Sequence, residues 1–233
     1  MAALLETHAL TAFYGDFQAL FGIDFEVHSG EIVAVIGANG AGKTTFLKTI
    51  CGLMPAPRES VRFEGEPIGD LPAGRIVAIG VAMVPEGRRL FPSLTVEENL
   101  RMGAYSRRPG PWALERVYET FPALANRRRL PSTALSGGEQ QMAAIGRALM
   151  SNPKLLICDE LSLGLAPIVI KNIYDALPRL RDEGLTLVIV EQDVSMAMRV
   201  TDRLYCFQEG RVSLTGKSAE LSTDRISQAY FGV

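Results

Sequence analysis

A chain of 233 residues, 47% hydrophobic and 21% charged, holds enough apolar material for one large core or two small ones, which excludes a disordered polypeptide. Its 24 Lys and Arg against 26 Asp and Glu leave a formal charge of -2, so no global basic field recruits nucleic acid or an anionic membrane. Three widely spaced cysteines and two histidines supply neither a disulfide framework nor a zinc site, and point to a reducing compartment. The apolar runs, residues 155–158 and 185–190 among them, fall short of the ~18–20 residues a membrane-crossing helix needs. The N-terminal stretch has no basic flank and carries Glu6 among its apolar residues, so a cytoplasmic location is expected rather than secretion.

In chain order, residues 23–27 alternate apolar and polar with the period of a half-buried antiparallel strand, and Ser29-Gly30 turns the chain. Residues 31–36 are a β-rich apolar run of the kind buried on both faces of a parallel sheet, and Gly37 ends it. A helix is expected over 43–51, closed by Gly52 as a left-handed cap. A short antiparallel piece at 61–65 precedes a helix near 73–79 and a strand over 81–84. The pattern then turns helical: Thr95 and Glu98 make a capping box, residues 112–121 are amphipathic with Trp112 in the core, and a long helix covers 136–150. Strands return at 155–158 and 186–190 with a helix over 168–183 between them, and a hairpin turns at Glu209-Gly210. Strands alternating with helices indicate an α/β fold with an open parallel sheet. There is no internal repeat, coiled-coil heptad or low-complexity linker. The expected organisation is an α/β core with a flanking antiparallel β-subdomain, residues 1–86 and 151–233, and an inserted helical subdomain, residues 87–150.

The segment Gly37-Ala-Asn-Gly-Ala-Gly42-Lys43-Thr44 fits the phosphate-binding pattern of glycine, four residues, glycine, lysine and a hydroxyl residue, and it lies between a strand and a helix. Glycines let successive backbone N–H groups curl around phosphate oxygens, and the helix N-terminus adds partial positive charge. Lys43 is expected to reach the β and γ phosphates and Thr44 to ligate Mg2+. Gly37, Asn39, Gly40, Ala41, Gly42 and Thr45 complete the nucleotide-binding set. This is the phosphate loop of a P-loop NTPase core, which binds a nucleoside triphosphate. The apolar strand Leu155-Leu-Ile-Cys158 ends in Asp159-Glu160, where ligands of parallel sheets sit. Asp159 is expected at the metal, and Glu160 as the general base that takes a proton from the attacking water. Leu135-Ser136-Gly-Gly138-Glu139-Gln140 reads as a capping box, yet two glycines in a first helical turn cost ~1 kcal/mol each and suit close approach to a phosphate instead.

With that last motif the chain resembles the ATP-binding cassette ATPases, and the resemblance extends along its whole length. It implies a head-to-tail pair in which Ser136 and Gly138 of one cassette cover the γ-phosphate held by the other. It also implies that Tyr14 stacks on adenine, the alternative being an ordinary aromatic of a strand. The Ser162-Leu-Gly-Leu165 segment falls at the family's dimer-contacting loop. Three positions depart from the family pattern. Glu86 in Val84-Pro-Glu86-Gly-Arg-Arg-Leu-Phe91-Pro replaces the usual Gln toward Mg2+; Gln192 replaces the switch histidine; and Gly164 or Leu165 replaces an aspartate. Gln192 is expected to position the attacking water and donate to the γ-phosphate without a titrating charge.

Pro-Glu-Gly-Arg-Arg, Ser-Leu-Gly-Leu-Ala-Pro, Val-Glu-Gln and the terminal Ala-Tyr-Phe-Gly are similar to the smaller ATPase subunit of branched-chain amino acid importers. Importers for urea and short amides share much of this pattern. The resemblance implies a peripheral protein on the cytoplasmic face of the membrane. Its implied partners are a second cassette (a paralogue, or another copy of the chain), integral permease subunits and, indirectly, a periplasmic or extracellular solute-binding protein, with no nucleic acid. A soluble cassette of DNA repair would carry a long coiled-coil insertion, and a translation factor typically two cassettes. A kinase or GTPase reading lacks the guanine-reading Asn-Lys-x-Asp pattern. Arg127-Arg-Arg129 reads as a solvated face rather than a lipid contact, and Cys158 as an inert small hydrophobe.

Overall fold

The computed structural model describes residues 2–231; Met1, Gly232 and Val233 lie outside it, and with Gly232 the last residue of the Ala-Tyr-Phe-Gly terminus. In chain order the strands are β1 (Ala3–Tyr14), β2 (Phe17–His28), β3 (Ile32–Ile36), β4 (Val61–Phe63), β5 (Glu66–Pro67), β6 (Val81–Val84), β7 (Leu155–Asp159), β8 (Thr186–Glu191), β9 (Arg203–Gln208) and β10 (Arg211–Lys217). The helices are α1 (Lys43–Ile50), α2 (Ala73–Ile79), α3 (Val96–Gly103), α4 (Leu114–Thr120), α5 (Pro122–Ala125), α6 (Gly137–Leu149), α7 (Pro167–Asp182), α8 (Val194–Val200) and α9 (Thr223–Phe231). Strands β2-β1-β4-β5 form an antiparallel sheet, and β10-β9-β3-β8-β7-β6 form a second, mostly parallel sheet. Neighbours in the second sheet run parallel except at the β9–β10 hairpin.

The continuous apolar runs have a simple cause: the large sheet separates two cores. Side chains alternate across a strand, so Ile32, Ala34 and Ile36 of β3 enter the core shared with α6 and α7. Val33 and Val35 enter the other, shared with α1 and the antiparallel sheet. Leu187 and Ile189 of β8 divide from Val188 and Val190 in the same way. Every residue of β3, β7 and β8 is buried. Each fully buried Val, Ile or Leu contributes ~2 kcal/mol, which favours apolar residues at both parities of these strands.

Helix ends follow their caps. Gly52 takes φ +67 after α1, with Gly52 N–H donating to Thr49 O (3.1 Å) and Leu53 N–H to Lys48 O (2.8 Å), a double closure that satisfies the last carbonyls. Both expected capping boxes form, Thr95 with Glu98 on α3 and Ser136 with Glu139 on α6. Trp112 is buried in the helical core, Arg127 to Arg129 are exposed, and Cys51, Cys158 and Cys206 are free and buried. Burial pushes the Cys158 thiol up, as expected of an inert hydrophobe.

Among the elements unread in the sequence are β1, α8 and α9. β1 hides its alternation because its pairing with β2 shifts between Thr7 and Leu10, where Ala9 has φ +44 and its N–H donates to the Asp24 carboxylate (2.7 Å). α8 has only seven residues, and α9 is rich in polar residues. α7 begins at Pro167, one residue before the expected start, and runs through Pro178. Among the described residues no helix is long and apolar enough to cross a membrane.

Gly103 marks the closest approach of α3 to α6. A Cβ there would collide with the carbonyl of Arg147, whereas a Cβ on the exposed Gly74 of α2 meets nothing within 4 Å. Gly103→Ala should destabilise by ~1–3 kcal/mol, read as a lower urea midpoint at unchanged slope. Gly74→Ala should be neutral or stabilising by ~0.4–1 kcal/mol, which separates packing from helix propensity.

Candidate functional site

The glycine-rich loop leaves β3 at Gly37 and enters α1 at Lys43. Two of its glycines are fixed by what lies beneath. A Cβ on Gly37 would strike the carbonyl oxygen of Phe207, and one on Gly42 (φ +99) would come within 2.9 Å of Leu20 Cδ2 and 3.3 Å of Gly210 Cα. Gly40 has open space but φ +82, so there the backbone conformation itself calls for glycine. The β9–β10 turn seats the loop, with Gly210 N–H donating to Ala41 O at 3.0 Å. The Lys43 ammonium donates to the carbonyls of Gly37 (2.7 Å) and Ala38 (3.1 Å). Burial pushes its pKa down, while Glu160 and Asp159 pull it back up.

A cleft of about 830 Å3 opens over the loop. Of the expected site residues, Tyr14, Asn39, Gly40, Gly42, Lys43, Thr44, Thr45, Glu86, Glu160 and Gln192 line it. Ala41 is buried beneath, and Gly37 sits against the β9 carbonyl. Tyr14 is half exposed, with its hydroxyl 3.3 Å from Thr45 Oγ1, and Phe17 beside it is 70% exposed. A flat ring held at its far end and open on its face is suited to stacking.

At the end of β7 the two acids divide. Asp159 is 2% exposed, and its Oδ1 makes no hydrogen bond with any described residue. Burial first, then the charges of Glu160 and Glu86, push its pKa up to about 6; Lys43 and Lys48 act against them. A buried carboxylate oxygen without a partner is a donor that a hard divalent cation takes up, so the residues present fit Mg2+. Among the described residues no group of three or more His, Cys, Asp and Glu is placed to hold a metal.

Glu160 lies in the left-handed region (φ +50), and its carboxylate accepts a 2.7 Å bond from the Gln192 amide. A carboxylate accepts only, so it takes one N–H of the Gln192 amide and leaves the second N–H and the carbonyl oxygen for other partners. Glu191, overlooked in the sequence, is buried beneath this pair and binds Ser162. The available signal was a charge at the end of an otherwise apolar strand.

Ser136 is exposed at the N-cap of α6, and neither Ser136 nor Gly138 lines the cleft of its own chain. One premise needs correction. Gly138 is buried, and a Cβ there would collide with Val169 of α7, so its missing side chain already serves helix packing within the chain. Gly137 beside it faces Arg88. Arg88 was also overlooked. Gly87, Arg88 and Arg89 are all left-handed, and Arg147 of α6 donates to the carbonyls of Arg89 (2.7 Å) and Arg88 (3.1 Å), while Arg88 donates to Gln140 (3.2 Å). The stretch that follows Glu86 is thereby strapped to α6. Gly164, at one of the two positions where an aspartate was absent, has φ +68, a conformation costly for a side chain.

Comparison with known proteins places these residues in context. The sequence profile of the family described as ABC transporter matches residues 20–162. The high-affinity branched-chain amino acid transport ATP-binding protein BraG of Pseudomonas aeruginosa is 46% identical over 232 residues, 98% of this chain and 100% of that protein. The probable branched-chain amino acid transport ATP-binding protein LivF of Archaeoglobus fulgidus is 35% identical over 221 residues, 94% of each chain. Among solved structures, the ADP conformation of an ATP-binding cassette of an ABC transporter superimposes with a TM-score of 0.84 at 27% identity, covering 100% of both chains. A dimeric bacterial ABC transporter cassette gives 0.80 at 27% identity, covering 92% of this chain and 98% of that one.

The raised pKa of Asp159 fixes the sign of a stability effect. The folded chain holds this proton more tightly than the unfolded chain, so stability falls as pH rises from the ordinary carboxylate range to about 6 and stays lowered above it. Asp159→Asn should therefore stabilise the metal-free, nucleotide-free protein near pH 7.5 by up to ~3 kcal/mol, with the gain shrinking toward about pH 4. Thermal unfolding across that range checks it; a variant less stable than the parent near pH 7.5 would contradict it.

Proposed function

Because the chain belongs to the ABC transporter family, as one of its ATP-hydrolysing cassettes, we propose that it powers an importer of branched-chain amino acids. Support for the solute class is the similarity to BraG and LivF over nearly their whole lengths. In this reading residues 1–86 and 151–233 bind nucleotide, and the helical insert 87–150 presents the exposed Ser136 to a facing cassette, with Gly138 packed behind it. That cassette is a paralogue, and both dock on integral permease subunits at the cytoplasmic face of the membrane, served by an external solute-binding protein.

The catalytic reading is carried by the 2.7 Å bond that fixes Glu160 to Gln192 beside the phosphate loop. ATP lies with adenine against Tyr14 and its phosphates on the N–H groups from Asn39 to Thr45, with Lys43 and the α1 N-terminus meeting their charge. Thr44, Asp159 and Glu86 would hold Mg2+, which would supply positive charge to offset that of the phosphates. Glu160 accepts a proton from water as its oxygen attacks the γ-phosphorus; the bond to the β–γ bridging oxygen breaks, leaving ADP and inorganic phosphate. Gln192 keeps the Glu160 carboxylate turned to the water.

Glu160→Gln keeps the shape but cannot take the proton. ATP affinity should stay within a few-fold while single-turnover hydrolysis in the assembled transporter falls by ~10²-fold or more. Near-normal hydrolysis would remove Glu160 as base. In cells lacking the wild-type chain, uptake of leucine, isoleucine and valine should be lost with this variant and restored by the parent. Restoration of urea or short-amide uptake instead would overturn the solute assignment.

A further inference from the structure

Glu191 closes β8 at 1% exposure, in a strand that is otherwise apolar apart from Thr186. Burying a carboxyl costs free energy, and burial pushes its pKa up. Both oxygens are committed to one residue: Oε1 accepts the Ser162 N–H at 3.2 Å and Oε2 the Ser162 hydroxyl at 2.7 Å. The Tyr174 hydroxyl also faces the carboxyl and helps hold it charged, without reaching ordinary hydrogen-bond geometry to any described residue.

The neighbours of Glu191 grip the same turn. Val190 O accepts the Glu160 N–H at 3.0 Å, and the Gln192 amide donates to Glu160 Oε1 at 2.7 Å. Three consecutive residues of one chain segment thus clamp residues 160 and 162, with the buried Leu161 between them. The turn needs a clamp because Glu160 is held at φ +50, a region that a residue with a side chain leaves readily when nothing over-determines it.

We propose that Glu191 is a positioning residue for ATP hydrolysis: by binding Ser162 it locks the 160–162 turn and keeps the Glu160 carboxylate in the cleft against Gln192. This rests on Glu160 being the base. Without the Ser162 anchor the turn relaxes and Glu160 swings from its place, while the phosphate loop keeps its own support from the β9–β10 hairpin. The consequence falls on turnover rather than on nucleotide binding.

The test is steady-state hydrolysis by the assembled transporter, with thermal unfolding of each variant. Glu191→Ala should lower kcat by ~10-fold or more and change KM for ATP by less than about twofold. Glu191→Gln should restore most of it, because its carbonyl accepts the Ser162 N–H and its NH2 donates to the Ser162 oxygen. Ser162→Ala should fall between, and the double variant should be no worse than Glu191→Ala. Full kcat in Glu191→Ala, additive losses, or no rescue by Gln would overturn the proposal. Should Glu191→Ala fail to fold, Ser162→Ala decides alone, since its partly exposed side chain can be trimmed without opening the core; full kcat there overturns the proposal. Glu160→Gln is run alongside: activity kept in that variant overturns this proposal together with the base assignment, whereas activity lost there but intact in Glu191→Ala overturns the positioning role only.

Discussion

Strands buried on both faces leave no room for polar side chains along their length. β3, β7 and β8 serve two cores at once, so every residue between their ends answers to packing. Chemistry is confined to the carboxyl ends, where the backbone leaves the sheet. There the three strands deliver, side by side, the loop from Gly37, the pair Asp159 and Glu160, and the pair Glu191 and Gln192. The register of the sheet positions these groups to within a residue, because a slip by one would exchange the two cores.

The same confinement sets the electrostatics. Glu86 and Glu160 act on Asp159, and Glu160 acts on Glu191, in a region where burial penalises charge. Against these acids stand Lys43, itself buried, and Lys48. Such a site is strained before any ligand arrives, and the unpaired oxygen of Asp159 is where that strain is concentrated. A divalent cation would relieve it, which accords with the proposed metal-binding role of a carboxylate whose buried charge costs stability.

The phosphate loop, the acids after β7 and the two capping boxes were legible because each is written in consecutive residues whose spacing has a mechanical meaning. Gln192 was found by resemblance, although its partner Glu160 lies 32 residues away and the bond between them is visible only in three dimensions. Glu191 and Arg88 were missed for the same reason: each is one charge among many until folding brings Ser162 or Gln140 to it. Gly138 shows the converse, a residue noticed correctly whose internal reason, Val169, belongs to another helix. β1 escaped because a bulge broke the period that would have revealed it.

Arg147 holds residues 88 and 89 through their backbone oxygens and lies over the Phe91 ring, 5.7 Å from its centroid. Its grip is indifferent to which side chains residues 88 and 89 carry, provided they tolerate a left-handed backbone. The exposed side chain of Arg89 is therefore spare: it is free to vary in answer to whatever surface faces it, while the path of the chain beside it stays put. Point substitution at Arg89 would therefore change the outer surface without disturbing the backbone path that leads from Glu86.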